Sequence, residues 1–298
     1  MKVFVTGASG FVGSAIVREL INAGHQVLGL ARSDASAAAV AAAGAEVLRG
    51  DLNDWDSLRR GASAADGVIH TAFIHDFSNI AASGVVDGQA VTAMGEVLAG
   101  SDRPLIVTSG TALVRAGRAS TEKDEADMSS AGSHRVKSEQ ITLALASQGV
   151  RSMVLRLPPS VHDEGDHGFV PALIGIARAK GVSAYIGDGA NRWAAGHRLD
   201  AAHLYRLALE KGAAGSRYHA VGDEGIPTRE IAEVIGKRLN LPVVSRSREE
   251  AEAHFGWLAH FFAFDAPSSS ALTQERLGWR PAHPGLIADL DGPAYFKM

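Results

Sequence analysis

The sequence contains no cysteine among its 298 residues. That absence excludes disulfides, thiolate zinc sites and cysteine nucleophiles. No apolar run approaches the roughly 18 residues of a membrane span, and the amino terminus lacks the long apolar stretch of a signal peptide. Basic residues are not in excess, because 29 Lys and Arg stand against 33 Asp and Glu, a net charge of −4. A nucleic-acid-binding domain would carry a basic face. We therefore expect a soluble cytoplasmic protein that binds neither nucleic acid nor a membrane.

Strand and helix patterns alternate along the first half of the chain, and several strand patterns are almost continuously apolar. This alternation predicts an α/β fold, a parallel sheet covered by helices on both faces. The alternation of strands and helices becomes less regular after Pro158, and we place an approximate domain boundary there. The predicted strands are Lys2–Thr6, Gln26–Ala31, Ala45–Leu48, Gly67–Thr71, Leu105–Thr108 and Arg151–Leu157. The predicted helices between them are Phe11–Ala23, Asp34–Ala43, Asp54–Ala62, Val85–Leu98 and Ser133–Ser147.

A glycine-rich turn, TGASGFVG, follows the first predicted strand and opens the first predicted helix. Glycines let the backbone turn sharply and approach a pyrophosphate, whose charge then meets free N–H groups at the helix start. In this strand–turn–helix context the motif predicts a dinucleotide site in a Rossmann domain over residues 1–158. Residues 159–298 would form a smaller substrate-binding lobe packed on it. The turn residues predicted to bind the cofactor are Gly7, Ser9, Gly10, Phe11, Val12 and Gly13.

The turn resembles that of the short-chain dehydrogenases and reductases, in their atypical or extended epimerase/dehydratase-like branch. Further segments that share the resemblance are Gly24-His25, Gly50-Asp51-Leu52, His70-Thr71-Ala72 and Leu157-Pro158-Pro159, so it covers most of the chain. The resemblance implies a doubly wound parallel sheet and a nicotinamide cofactor. It also implies cofactor contacts from Asp51, Leu52, Thr71, Ala72, Phe73, Pro158, Pro159 and Val161.

The end of the second strand indicates which nicotinamide cofactor is bound. NAD-using relatives carry an acidic residue there that accepts hydrogen bonds from the ribose hydroxyls. This sequence has Ala31, followed by Arg32 and Ser33. A missing carboxylate removes repulsion toward a 2′-phosphate, and a guanidinium can bind that phosphate with two hydrogen bonds. We predict NADP(H), with Arg32 and Ser33 near the phosphate, although a small register shift would bring Asp34 closer instead.

The catalytic residues depart from the superfamily pattern. Its reductases usually carry Tyr and Lys four residues apart on one helix face, and the cation lowers the pKa of the phenol. Lys137 fits the lysine, but Ser133 stands four residues before it and His134 three residues before it. We predict that Lys137 holds the nicotinamide ribose and that Ser133, His134 or a bound water supplies the proton. Asp87 falls where the superfamily commonly has asparagine.

A hydroxyl that polarises the substrate carbonyl is expected at the end of the fifth strand. A simple alignment puts Gly110 on the usual serine, so we prefer Thr111 and place Ser109 second. Losing a positioned proton donor typically costs about 10²–10⁴-fold in rate. Three readings therefore stay open: a substitute donor acts, a water relay acts, or the chain is not a dehydrogenase.

The second lobe supplies the candidate substrate contacts. We predict His162, His167, Arg192 and Trp193 in that role, and no metal site, because the spacing of the histidines and acids matches no compact ligand motif. Asp200 is interpreted as a helix N-cap.

The segment HFGWLAHFFAF, residues 254–264, predicts a helix with two apolar faces. Such a helix is buried in the core, lines an apolar pocket or meets a second subunit, so a homodimer is possible. One face carries Phe255, Leu258 and Phe262, and the other carries Trp257, Phe261 and Phe264.

The most specific reading is an NADPH-dependent oxidoreductase that transfers hydride between nicotinamide and a small organic carbonyl or alcohol. A sugar-nucleotide epimerase or dehydratase is the first alternative. It needs a basic pocket for a second diphosphate, for which only Arg192 and Arg198 stand out. A non-catalytic NADP(H)-sensing regulator is the alternative from another class, favoured by the missing tyrosine.

Overall fold

The structure is a computed structural model that describes residues 1–76, 79–114, 118–130 and 132–297. Three sheets and their covering helices make up two lobes. The strands are β1 (Lys2–Thr6), β2 (Gln26–Ala31), β3 (Glu46–Arg49), β4 (Gly67–His70), β5 (Pro104–Gly110), β6 (Arg151–Leu157), β7 (Ser160–His162), β8 (Ser183–Ile186), β9 (Arg192–His197), β10 (Ser216–His219), β11 (Asp223–Pro227) and β12 (Val243–Arg246). The helices are α1 (Phe11–Asn22), α2 (Asp34–Ala42), α3 (Trp55–Ser63), α4 (Ile80–Leu98), α5 (Val136–Ala144), α6 (Phe169–Lys180), α7 (Arg198–Lys211), α8 (Thr228–Leu239), α9 (Arg248–Phe255), α10 (Ala259–Phe262), α11 (Ala271–Leu277) and α12 (Leu286–Leu290).

The main sheet confirms the predicted Rossmann-like fold. Its seven strands run parallel in the order β10-β6-β5-β4-β1-β2-β3. The strands are apolar because helices cover both faces. On one face Val5 packs with Leu20 of α1 and Leu204 of α7, and on the other Phe4 packs with Met94 of α4. The apolar periodicity of the sequence thus places the sheet correctly.

The strand order reverses beside β1, which pairs with β2 on one side and with β4 on the other. The loops after β1 and β4 therefore leave the sheet in opposite directions and open a crevice at its carboxyl edge. In open α/β sheets, ligands bind at such a switch point. The predicted glycine turn after β1 and the segment after β4 lie on its two sides.

The second lobe contains the sheet β11-β9-β7 and the pair β12-β8. Its core joins Trp193 of β9, Ile231 of α8, Phe262 of α10 and Leu286 of α12. The predicted boundary near Pro158 needs correction, because the chain returns to the first lobe. Helix α7 packs on α1, and β10 extends the main sheet beside β6. Tyr218 and Trp279, far beyond residue 158, belong to the first core.

The aromatic segment does not form the single helix that was predicted. Helix α9 ends at Phe255, Gly256 takes a positive φ of 55°, and a short turn leads into α10. The two predicted faces differ in burial. Phe255, Leu258 and Phe262 are buried in the core, whereas Trp257 is half exposed. Within the described ranges no helix is both long and apolar enough to cross a membrane.

Candidate active site

The glycine-rich turn is packed too closely for side chains. Gly7 has a φ of 69°, and a Cβ there would lie 2.8 Å from the backbone nitrogen of Ala72. A Cβ on Gly13 would overlap the carbonyl oxygen of Gly7. Thr71 fixes the turn from the β4 side by donating a hydrogen bond to the Thr6 carbonyl at 2.7 Å. Helix α1 then begins at Phe11 with no acidic residue in its first turn, which leaves its positive end suited to an anion.

A cleft of about 650 Å³ opens along this turn, within the usual size of a ligand pocket. Most of the predicted cofactor residues line it, and Lys137, Pro158, Pro159 and Val161 do not. Those that line it are Gly7, Ser9, Gly10, Phe11, Val12, Gly13, Arg32, Ser33, Asp51, Leu52, Thr71, Ala72 and Phe73. Residues that the sequence reasoning did not assign to the cofactor also line it, namely Leu30, Ser36, Gly50, Ile74, His75, Asp76, Thr108, Arg135, Leu157 and His167.

The far end of the cleft carries Arg32, Ser33 and Ser36. Ser33 caps α2 by accepting a hydrogen bond from the backbone nitrogen of Ser36 at 3.2 Å. Asp34 turns away from the cleft, since its carboxylate accepts a hydrogen bond from Arg49 at 2.7 Å. The register alternative raised by Asp34 is therefore not what the structure shows. A cation, two hydroxyls and a helix amino terminus face this end of the cleft.

The cation at the inner end of the cleft is Arg135, not Lys137. Lys137 lies on the outer face of α5 and is exposed, and it lines neither the cleft nor the cavity beside it. We therefore correct the predicted assignment: Arg135 takes the position expected for the lysine. The residue four positions before Arg135, where the superfamily has its tyrosine, is Ala131 in this sequence. Ala131 lies outside the described residues.

Three neighbours hold the Arg135 guanidinium in place. It donates a hydrogen bond to the Thr108 carbonyl at 2.9 Å, lies 3.8 Å over the Phe73 ring, and approaches Asp87 Oδ1 at 3.8 Å. Burial lowers the pKa of Arg135, and the negative charge of Asp87 opposes that shift. The cation is thus pre-oriented at the edge of the cleft before any ligand arrives.

Asp87 belongs to a buried chain of hydrogen-bonded side chains. His70 bonds Thr6 Oγ1 through Nδ1 at 2.7 Å and Asp87 Oδ1 through Nε2 at 3.1 Å. Burial by itself would raise the pKa of Asp87, but Arg135 and His70 hold it below its usual value. The carboxylate that replaces the expected asparagine therefore serves as the counter-ion of Arg135.

The structure favours Ser109 over Thr111 as the hydroxyl that can meet a ligand, which reverses the order predicted from the sequence. Ser109 lines a cavity beside the cleft and donates a hydrogen bond to Glu139 Oε2 at 3.1 Å. Thr111 is buried, its hydroxyl has no hydrogen-bond partner among the described residues, and it lines neither cavity. With its proton directed at Glu139, the Ser109 oxygen is left to accept a hydrogen bond from a ligand.

The two candidate proton donors on the α5 side differ in position. His134 lines the cavity beside the cleft, and burial, helped by the charge of Arg135, lowers its pKa to about 4. Its imidazole is therefore neutral near pH 7. Ser133 lies in the short turn before α5 and lines neither cavity, and it does not cap that helix.

The cavity beside the cleft has a volume of about 140 Å³ and meets the cleft at Arg135, which lines both. Its polar side chains are Ser109, His134 and Arg135. The remaining lining residues are small or apolar, namely Gly110, Ala112, Leu113, Gly132, Pro159, Phe169, Trp193, Phe261, Phe264 and Ala266.

Two of the four predicted substrate residues reach these spaces. Trp193 lines the smaller cavity and His167 lines the cleft. Arg192 is instead held by Asp265 in a two-bond ion pair at 3.0 and 2.9 Å. His162 is buried and bonds Asp289 at 2.7 Å, away from both spaces.

Asp200 is not the N-cap of α7, because the His197 ring accepts that hydrogen bond from the Leu199 N–H at 3.2 Å. The Asp200 carboxylate holds the C-terminal segment instead, through the backbone nitrogen of Ala282 at 3.0 Å and His283 Nδ1 at 2.7 Å. His197, Asp200 and His283 come close enough to hold a metal ion, a cluster that sequence spacing did not reveal. Asp200 and His283 Nδ1 already bond each other, His197 Nδ1 accepts a hydrogen bond from the Leu199 N–H, and the two rings stack 4.6 Å apart.

A buried ion pair behind the site gives a stability prediction. Burial alone would raise the pKa of Glu139, but hydrogen bonds and charge from Arg156 and Arg217 lower it. A lowered folded pKa stabilises the fold above the ordinary Glu range, and that stability is lost as pH falls through it. We expect Glu139→Gln to cost about 3–5 kcal/mol near neutral pH, because it leaves the buried Arg156 without its partner. Urea unfolding at several pH values measures this.

The matched control is Glu96→Gln, which removes an exposed carboxylate paired with Arg59 at 3.1 Å. That change should cost under about 1 kcal/mol. Two results would contradict the role given to this pair. One is a Glu139 variant as stable as the Glu96 variant near neutral pH. The other is a difference in unfolding free energy between the wild type and the Glu139 variant that stays as large in acid as it is near neutral pH.

The parallel sheet, the glycine turn at its switch point and the cleft define a Rossmann-type α/β protein. Residues 3–221 match the model of the NAD dependent epimerase/dehydratase family, and the chain belongs to that family. A protein of Schizosaccharomyces pombe, "Uncharacterized protein C2A9.02", is 55% identical over 297 residues, 99% of this chain and 100% of its own. The "2-alkyl-3-oxoalkanoate reductase" of Stenotrophomonas maltophilia is 27% identical over 83% of this chain and 78% of its own. The solved structure of DesIV, a dTDP-glucose 4,6-dehydratase from Streptomyces venezuelae with NAD and TYD bound, superposes with a TM-score of 0.80 at 20% identity, covering 99% of this chain and 96% of that one.

Proposed function

We propose that the protein is an NADP(H)-dependent oxidoreductase that interconverts a carbonyl and an alcohol in a small organic compound. One observation carries the proposal: Arg135 lies where a dinucleotide-sized cleft meets a small cavity able to hold a substrate. A reductase named among its relatives is consistent with this chemistry.

The cleft suits a nicotinamide dinucleotide. Gly7 and Gly13 of its glycine turn have no room for a side chain, and the amino terminus of α1 faces the cleft with no acidic residue in its first turn. Arg32, Ser33 and Ser36 at the far end suit the extra phosphate of NADP(H). When bound, that cofactor supplies or accepts the hydride.

Arg135 performs the electrostatic part of the proposed reaction. Reduction of a carbonyl places negative charge on its oxygen, and a fixed cation stabilises that charge without having to reorganise. The Thr108 carbonyl, the Phe73 ring and Asp87 fix the guanidinium beforehand. The cation thereby replaces the stabilisation that a tyrosine hydroxyl gives in the usual arrangement.

The proton comes from water in this proposal. His134 is neutral near pH 7 because its pKa is lowered to about 4, so it has no imidazolium proton to give. The Ser109 hydroxyl donates a hydrogen bond to Glu139, so its oxygen is placed to accept a hydrogen bond from a water or an alcohol. Tyr205 is buried and bonded to Thr108 at 2.6 Å, and burial raises its pKa.

Two alternative functions, an epimerase or dehydratase and a cofactor-sensing regulator, each have one observation in their support. The family description names epimerases and dehydratases, but both candidate cations for a second diphosphate are neutralised, Arg192 by Asp265 and Arg198 by Asp163 at 2.9 Å. A cofactor-sensing regulator is consistent with the absence of a phenol among the described residues that line the cleft. Such a regulator has no need of a fixed cation beside a substrate-sized cavity.

The test follows NADPH absorbance with purified protein, saturating cofactor and a panel of uncharged ketones and aldehydes. We expect NADPH consumption matched one-to-one by alcohol formation. Tight NADPH binding without turnover of any uncharged carbonyl, together with turnover of a nucleotide sugar, would overturn the proposal in favour of the epimerase or dehydratase reading.

A further inference from the structure

We infer that the substrate is a compact, uncharged, largely apolar carbonyl compound, about one ring in size, whose oxygen meets Arg135 while its body fills the smaller cavity. The inference rests on the proposed function for the chemistry at Arg135. It concerns the other side of the site, where the cavity shape and lining determine which molecule fits.

The lining of the cavity combines aromatic rings with small residues. Phe169 contacts Trp193 and Phe261, with ring centroids 5.5 and 5.4 Å apart. Ala112 and Ala266 contribute only methyl groups to the same lining. Trp193 is almost fully buried and packs on Phe262 beneath it, at 5.3 Å between ring centroids. The aromatic wall is therefore rigid, and the small residues leave room for a ligand.

The polar side chains that line the cavity are Arg135, Ser109 and His134. Arg135 lines both spaces, Ser109 is tied to Glu139, and His134 is neutral near pH 7. The apolar remainder offers no partner for a carboxylate or phosphate on the body of the substrate. Burying such a charge without a partner is costly, so the cavity selects against charged groups away from the reacting carbonyl.

The volume sets the size of the ligand. The cavity of about 140 Å³ is close to the roughly 150 Å³ apolar cavity that binds benzene in an engineered protein core. A single aromatic or aliphatic ring with a short carbonyl arm matches this space. A sugar joined to a nucleotide does not.

The wider depression next to the cavity does not extend it toward a diphosphate. Ala112, Phe264 and Ala266 line both, so they form the ridge between them. Beyond the ridge the charged side chains are Arg248, Glu252 and Asp265, and Asp265 is already paired with Arg192. Among the described residues that line the depression, one arginine beside an acid does not form a site for two phosphates.

The experiment measures binding by calorimetry, with and without saturating NADP⁺, which cannot reduce the ligand. The probes are acetophenone, 4-acetylbenzoate (the same ring with a carboxylate at its far end) and UDP-glucose. The filling variants Ala112→Leu and Ala266→Leu narrow the cavity from two independent positions. Ala263→Leu is the matched control, because Ala263 is exposed on the far side of the ridge.

We expect acetophenone to bind, and each filling variant to weaken its binding at least about tenfold, because the added side chain occupies the space in which the ligand would bury its apolar surface. 4-Acetylbenzoate should bind at least about tenfold more weakly than acetophenone, and Ala263→Leu should change nothing. Tighter binding of UDP-glucose than of acetophenone, or acetophenone binding indifferent to both filling variants, would overturn the inference.

The two proposals fail in different ways. If the filling variants block acetophenone binding but no ketone is turned over with NADPH, the inference about the cavity stands and the proposed function is wrong. Ketone turnover that proceeds equally in both filling variants would retain the function and overturn the inference about the cavity.

Discussion

Replacing Arg135 by methionine should lower kcat for ketone reduction by about 10²–10³, the usual cost of removing one fixed group that stabilises an oxyanion. Methionine keeps much of the length and apolar contact over Phe73 but removes the charge. The loss should fall on kcat more than on KM, because the oxyanion forms only in the transition state. Steady-state kinetics with a saturating ketone and NADPH measure the effect.

Two companion variants make this test specific. Lys137→Met removes the neighbouring exposed cation and should leave kcat unchanged, since Lys137 lines neither space. Arg135→Lys keeps the charge and should recover part of the rate. If Lys137→Met lost as much activity as Arg135→Met, the original assignment of Lys137 to the site would be supported and our correction to Arg135 would be wrong.

Replacing Arg32 by alanine should remove most of the preference for NADPH over NADH. A charge-assisted hydrogen bond contributes about 1.5–3 kcal/mol, so NADPH affinity should fall roughly tenfold to a hundredfold while NADH affinity stays the same. Binding of both cofactors to the wild type and the variant, measured by fluorescence titration, gives the ratio directly.

The control for this prediction is Arg18→Ala, which removes an exposed arginine on α1 that does not line the cleft. Its two affinities should match those of the wild type. Equal affinities of the wild-type protein for NADPH and NADH would contradict the assignment of Arg32, whatever the variants show.

The fold could be predicted from the sequence because its strands and most of its helices carry the pattern of their burial. The central strands β1, β4 and β5 are apolar on both faces, and α1 presents Ile16 and Leu20 to the core. The short strands of the second lobe were missed. Strands β7 and β9 lie in Gly-, His- and Asp-rich stretches whose composition favours loops, and only their pairing in the folded chain makes them strands.

The position of the cation at the inner end of the cleft could not be predicted in the same way. Helix α5 buries Ser138, Glu139 and Thr142, so its inner face is polar and apolar periodicity does not orient it. Glu139 can be buried because Arg156 on β6 neutralises it, with Arg156 Nε donating a hydrogen bond to Glu139 Oε2 at 3.1 Å. This contact joins two distant elements and could not be predicted from the sequence. With two cations two residues apart, spacing from a missing tyrosine gave the wrong one.

The glycine turn was the opposite case, because its chemistry is local. Gly7 needs a positive φ, and Gly13 must lie against the Gly7 carbonyl, so residue type and spacing alone predict the geometry. The same holds for Arg32 and Ser33, which follow directly from the end of β2. Contacts set within a few residues were thus predictable, whereas ion pairs between distant elements were not.

Hydride transfer from isotopically labelled cofactor tests the central claim most directly. NADPH carrying deuterium at the reactive carbon of the nicotinamide, in each of its two configurations, is mixed with the protein and acetophenone, and the alcohol is analysed by mass spectrometry. We predict that one configuration delivers deuterium to the alcohol carbon, and that Arg135→Met slows this transfer by about 10²–10³. Oxidation of NADPH that leaves no deuterium in the alcohol from either configuration would contradict the account.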